Sequence, residues 1–247
     1  MLMLKNKQLL KHTNNRIPNV FLKFCCFSLL VFLCACKSDV PKKATTIETT
    51  TPKTQIKQPE KNAVKRIVFF GDSLTAGYGL TDVTDAFPGI IQHKIDSLQL
   101  DYSIVNSGVS GETTSGGKNR IDWVLNEKPS IFVLELGAND GLRGVPLKQT
   151  KENLQAIITA VKNKYPTTKI VLAGMQIPPN MGQDYTSEFK NIFPALAKKN
   201  EVYLIPFLLE NVGGTAALNQ SDGIHPTKEG HQILAKNVWA VLAPLLK

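Results

Sequence analysis

Residues 63–247 predict one α/β domain, a three-layer α/β/α sandwich around a five-stranded parallel sheet. Two observations carry this. Short apolar runs rich in β-branched and aromatic residues alternate with longer stretches of helical period, and 185 residues suffice for one core. Strands alternating with helices imply right-handed crossovers and a sheet covered on both faces. The strand candidates are "KRIVFF" (65–70), "YSIVNS" (102–107), "SIFVLEL" (130–136), "KIVLAG" (169–174) and "VYLIPF" (202–207). Helix candidates run over 86–98, 118–126, 147–164, 187–199 and about 227–245. In the third of these, Leu154, Ile157, Ile158 and Val161 recur at i, i+3, i+4 and i+7, an apolar stripe that faces a core. No internal repeat is visible.

The front of the chain is different material. Residues 1–36 hold five basic residues and no acidic one, ahead of the apolar run "FCCFSLLVFLCA" from Phe24 to Ala35. Twelve residues rise about 18 Å as a helix, short of the roughly 30 Å hydrocarbon core. A basic leader, a short apolar core and a small residue before a cleavage point describe an export signal. All four cysteines lie in this leader, so no pairing framework is expected in the mature fold. The leader closes on "LCAC", which resembles the lipobox of bacterial lipoproteins, although Cys34 departs from the pattern and the basic stretch is long. That resemblance implies cleavage before Cys36, acylation of Cys36, and a protein exported and lipid-anchored to the bacterial cell envelope, periplasmic or outer membrane. A simple secreted protein is the alternative. Residues 37–62 are rich in Thr, Lys and Pro and poor in apolar side chains, as expected of a flexible tether.

The net charge of +9 invites a nucleic-acid partner, but the charge sits in the wrong place. The leader carries +5 and the tether +3, leaving +1 for residues 63–247. The folded part has neither basic runs nor a basic–aromatic pattern, so nucleic acid is not expected.

Ligands of open parallel sheets bind beyond the carboxyl ends of the strands. The unusual residues of this chain fall there. After the first strand comes "GDSL" with Asp72 and Ser73; after the second, "NSGVSGETT" with Gly108 and Gly111; after the third, "GANDGLRG" with Asn139 and Asp140; and before the last helix, "SDGIHPTKEG" with Asp222 and His225. Each piece alone has a structural reading: Ser73 as a helix cap, Asn139 to Gly141 and Asp222 as turns, His225 as a surface residue. Together those readings require four coincidences at one sheet edge. His93 and His231 lie in helical segments without an adjacent partner and are expected to be structural or solvated.

A serine hydroxyl attacks poorly until a base takes its proton, and an imidazole with an unperturbed pKa near 6.5 can accept it and return it to a leaving group. Asp222, three positions before His225, can hold the second ring nitrogen. Pro226 restricts His225 to an extended or turn conformation, outside the helix. Asp72 adjoins Ser73, but neighbouring side chains at a tight turn point apart, so it is expected to brace the loop and not to serve as the acid.

These four stretches resemble the blocks of the SGNH, or GDSL, hydrolase family, in the family's order, across nearly all of residues 65–247. The longer pieces "GDSLTAGYGL", "LELGANDGLRG" and "DGIHP" are similar to the branch of bacterial arylesterases, acyl-CoA thioesterase I and lysophospholipase L1. The resemblance implies a flavodoxin-like SGNH fold and a cofactor-free serine esterase that acts through an acyl-enzyme. It assigns Ser73 as nucleophile, His225 as base and Asp222 as orienting acid. It assigns the oxyanion hole to the N–H groups of Ser73 and Gly108 and the carboxamide of Asn139. Aryl esters, lysophospholipids and acyl thioesters are the implied substrates; ester substrates come first, since acyl-CoA is cytosolic. The segment "MQIPPNMGQDYT" (175–186) matches a loop lining the acyl groove in that branch, with Ile177, Pro178, Pro179 and Met181 suited to an alkyl chain; an ordinary Pro-rich loop is the alternative. A carbohydrate O-deacetylase, an envelope acyltransferase and a non-enzymatic lipid- or glycan-binding lipoprotein are the other classes. A monomer is expected.

Two look-alike motifs carry nothing. "GETTSGGKN" has five residues between Gly111 and Gly117 where a phosphate-binding loop has four, and Asn119 stands where Mg²⁺ needs Ser or Thr. "GYGLTD" lacks the last glycine of a dinucleotide fingerprint, and the elbow motif G-x-S-x-G is absent. Neither nucleotide nor metal is implied.

Overall fold

The computed structural model describes residues 64–246. The leader, Cys36 and the tether lie outside the described residues. Five strands alternate with helices: β1 (Lys65–Gly71), α1 (Ser73–Ala76), α2 (Phe87–Ser97), β2 (Tyr102–Gly108), α3 (Thr114–Val124), β3 (Ile131–Glu135), α4 (Ala138–Leu142), α5 (Leu147–Lys164), β4 (Lys169–Ala173), α6 (Gln183–Asn200), β5 (Tyr203–Ile205) and α7 (Lys228–Leu242). Short 3₁₀ turns occupy Val83–Asp85, Pro179–Met181, Ala216–Leu218 and Ala243–Leu245. All strand pairs are parallel, in the order β2-β1-β3-β4-β5. The order reverses at β1, which places the switch point, where such sheets bind ligands, beside Gly71.

Every residue of β3 is buried, and Ile67 to Phe70 of β1 are too, as an apolar run without alternation requires of a strand covered on both faces. Helices α2 and α7 pack together, as do α3, α5 and α6. The stripe Leu154, Ile157, Ile158 and Val161 of α5 is fully buried. The expected α/β/α architecture is the one observed.

The strands fall within two residues of their expected ends, and two helices begin earlier than expected. Helix α3 starts at Thr114, four residues before Lys118, because Thr113 caps it by accepting the Gly116 N–H (3.3 Å) and Gly117 lies against Leu136, where a Cβ would come within 2.4 Å. Helix α6 starts at Gln183, with Tyr185 in its first turn donating its hydroxyl to the Val145 carbonyl (2.8 Å).

His231 of α7 is structural. Helix α2 has no side-chain cap of its own, and the buried His231 Nδ1 accepts the Phe87 N–H at its N-terminus (3.2 Å). Burial lowers the His231 pKa to about 4. The unfolded chain therefore takes the proton first as pH falls, so stability from neutral His231 is present above about 6.5 and lost towards pH 4, on the order of 3 kcal/mol. His231→Gln keeps an acceptor without the titration. Urea melts at pH 7 and 4.5 should show a smaller acid loss in that variant than in the wild type; equal losses would refute the assignment.

Candidate active site

The site is built on the four carboxyl-end loops. Strand β1 ends at Gly71, and Asp72 turns the chain into α1 by accepting the Leu74 N–H with Oδ1 (3.0 Å). Ser73 is therefore the first helical residue, and its N–H has no acceptor within the helix. Ser73 is buried, only 8% exposed.

Ser73 Oγ lies 3.0 Å from His225 Nε2, and His225 Nδ1 lies 2.7 Å from Asp222 Oδ2. The loop carrying the last two is held locally. Asp222 Oδ1 accepts the N–H groups of Ile224 (2.9 Å) and His225 (3.0 Å), Gln220 N–H donates to the His225 carbonyl (2.7 Å), and Asn219 bridges to Pro226. The His225 side chain and these N–H groups pull the Asp222 pKa down to about 2, so it is a carboxylate at neutral pH. The Tyr78 ring sits 4.5 Å from the His225 ring, centroid to centroid. An anion, an imidazole and a hydroxyl in one hydrogen-bonded line, 152 residues apart between Ser73 and His225, can move a proton off the hydroxyl.

Asn139 stands on α4. Its Nδ2 donates to Asp72 Oδ2 (3.0 Å) and to the Glu112 carbonyl (3.0 Å), while Arg143 Nη2 donates to its Oδ1 (3.4 Å) and to the Gly111 carbonyl (3.1 Å). The next residue, Asp140, is buried and anchors α4 to α3: its Oδ2 accepts the Thr114 N–H (2.8 Å) and its Oδ1 the Thr114 hydroxyl (2.5 Å). Asp72 braces the loop, as expected, through Leu74 and Asn139.

Gly108 closes β2, and in the resting site its N–H donates to Asn106 Oδ1 (3.0 Å). Its lack of a side chain serves packing: a Cβ there would come 2.3 Å from the Ala76 nitrogen. Gly111, whose carbonyl shares the Arg143 guanidinium with Asn139, is exposed and at φ +78°, a conformation that favours glycine.

The loop after β4 places its four expected residues unevenly. Ile177 packs against the core and over Gly141 of α4, where a Cβ would meet its Cγ2 at 2.6 Å. Pro178 and Pro179 are exposed and Met181 is half-buried, near Gly144. Among the described residues, no group of three His, Cys, Asp or Glu side chains is placed to hold a metal ion.

Three residues that sequence reasoning passed over hold these loops together. Glu112 and Arg120 form a partly buried ion pair, and Arg120 Nη2 also donates to the Ser107 carbonyl (2.8 Å), with its guanidinium 4.1 Å from the Phe70 ring centroid. Glu135 ends the central strand beneath Ser73. A charged residue inside the otherwise apolar "IFVLEL" was the available signal for it.

The profile of the GDSL-like Lipase/Acylhydrolase family matches residues 69–233. Esterase TesA of Pseudomonas aeruginosa is 38% identical over 188 residues, covering 76% of this chain and 92% of that protein. Thioesterase 1/protease 1/lysophospholipase L1 of Escherichia coli (strain K12) is 35% identical over 185 residues, covering 74% and 86%. A crystal structure of TesA superposes with a TM-score of 0.70 at 38% identity, covering 74% of this chain and all of the other. The chain belongs to the GDSL-like lipase/acylhydrolase family, the SGNH hydrolases, and is an esterase-type enzyme of that family.

Proposed function

We propose that the enzyme is a serine esterase with a Ser73–His225–Asp222 triad that works through an acyl-enzyme. The unbroken line from Asp222 Oδ2 through the imidazole to Ser73 Oγ carries this reading. As Oγ attacks the ester carbonyl, its proton passes to His225 Nε2, and the adjacent Asp222 carboxylate stabilises the imidazolium. The N–H groups of Ser73 and Gly108 and the Asn139 carboxamide meet the oxyanion, the Gly108 N–H leaving Asn106 Oδ1 to do so. The tetrahedral intermediate then expels the alcohol, which takes its proton from His225. Water repeats the cycle to release the acid and free Ser73.

The substrates are carboxylic esters with an apolar acyl chain: aryl esters, lysophospholipids and, secondarily, acyl thioesters. Tyr78, Val109, Leu142 and Ile224 are exposed on the loops around Ser73, and Ile177, Pro178, Pro179 and Met181 extend this apolar rim. kcat/KM on p-nitrophenyl esters of two to twelve acyl carbons should rise with chain length beyond acetate. A sharp preference for acetate would favour a carbohydrate O-deacetylase.

A further inference from the structure

Glu135 reaches Ser73's turn from the strand beneath it. Its Oε2 accepts both the Asp72 N–H (3.1 Å) and the Thr75 hydroxyl (2.7 Å), the residues on either side of Ser73–Leu74. Gly71 leaves the room for this grip, since a Cβ there would stand 2.3 Å from Glu135 Oε2 and 2.2 Å from Thr75 Oγ1. Asp72, held through its N–H by Glu135, holds Asn139 Nδ2 with its carboxylate. We propose that Glu135 is a positioning residue for ester hydrolysis: from the end of β3 its carboxyl fixes the turn of Ser73 and, through Asp72, the carboxamide of Asn139, so that nucleophile and oxyanion donor stay aimed at one point.

The grip works in the uncharged form. Glu135 is 1% exposed and its Oε1 is buried with no hydrogen-bond partner, an arrangement too costly for an anion. Burial, with the Asp72 charge beside it, holds its pKa well above the usual carboxylate range. Burial also raises Asp72, to about 6, against the N–H of Leu74, the amide of Asn139 and the charge of His225. Of the two acids, the geometry favours the proton on Glu135, whose Oε1 has no partner, and the charge on Asp72, whose carboxylate accepts two donors. The other ionisable groups facing them are His225 across the site and Arg120, whose Nη2 reaches the Gly71 carbonyl (3.4 Å) and is paired with Glu112. Asp140 is turned away to Thr114.

This inference rests on the triad reading, and its test separates the two. Glu135→Ala should lower kcat by about 30- to 100-fold, the scale of a misplaced reacting group, with KM changed less than about twofold. Glu135→Gln is neutral and keeps an acceptor. It should retain kcat within about fivefold, with the acid limb of its pH profile moved by less than about half a unit. Thr75→Val removes the hydroxyl from the same oxygen and should lower kcat by about threefold to tenfold, so the test survives if Glu135→Ala fails to fold. Thermal melts accompany each variant. A folded Glu135→Ala with kcat within threefold of wild type would overturn the positioning role, as would a folded Glu135→Gln as impaired as the alanine. Should Glu135→Ala not fold, an unchanged kcat in Thr75→Val would overturn it. Wild-type protein inactive on every ester, or an active Ser73→Ala, would instead sink the triad reading and the positioning role with it.

Discussion

Ser73→Ala should lower kcat/KM for a p-nitrophenyl ester by on the order of 10⁴-fold or more, with no change in thermal stability beyond the scatter of the melt. The hydroxyl has a single hydrogen-bond partner, His225, and its loss leaves a methyl group in a well-packed turn. His225→Ala should cost about as much, because each residue is useless to the other alone. The double variant should therefore be hardly worse than either single one. Additive losses would mean that His225 acts elsewhere than on Ser73. Residual activity above background is expected even then, since the oxyanion donors and the apolar rim remain.

Asn139→Ala should be the second-largest loss, about 10²- to 10³-fold in kcat with little change in KM. The geometry adds a consequence for stability. Both Nδ2 hydrogens serve protein acceptors in the resting site, Asp72 Oδ2 and the Glu112 carbonyl, so an incoming oxyanion must share one of them. Removing the amide leaves the buried Asp72 carboxylate with the Leu74 N–H alone, at a cost of about 1–3 kcal/mol while Asp72 is ionised. Asp72 has a raised pKa, so the wild-type fold favours its acid form as pH falls through about 6. Losing the amide pushes the mutant's Asp72 pKa higher still. The deficit should therefore be full only well above 6 and fade as pH falls to about 6, where a protonated Asp72 no longer needs the donor. Equilibrium unfolding at pH 8 and pH 5 checks this. A deficit independent of pH would show that the Asn139–Asp72 bond does not carry it.

Much of this was legible because it depends on short sequence periods. The three central runs, β1, β3 and β4, are buried on both faces over most of their length, and runs of that kind announce parallel strands before any partner is known. The serine turn and the histidine loop were also legible, since Asp72, Asp222 and Pro226 constrain backbone within a few residues. What stayed hidden crosses the chain. Glu135 meets Asp72 63 residues away, and Asn139 meets Glu112 27 residues away. Arg120 ties the loops after β1 and β2 into one piece through the Gly71 and Ser107 carbonyls. No local pattern reports such contacts.

In the proposed mechanism Ser73 is a nucleophile activated by His225. Its most direct test is the intact mass of the enzyme after brief exposure to a fluorophosphonate, followed by peptide mapping. One phosphonyl adduct per chain should form, on Ser73, at least about 10²-fold more slowly in His225→Ala. An adduct on another residue, no adduct in enzyme that still hydrolyses esters, or equally fast labelling without His225 would contradict it.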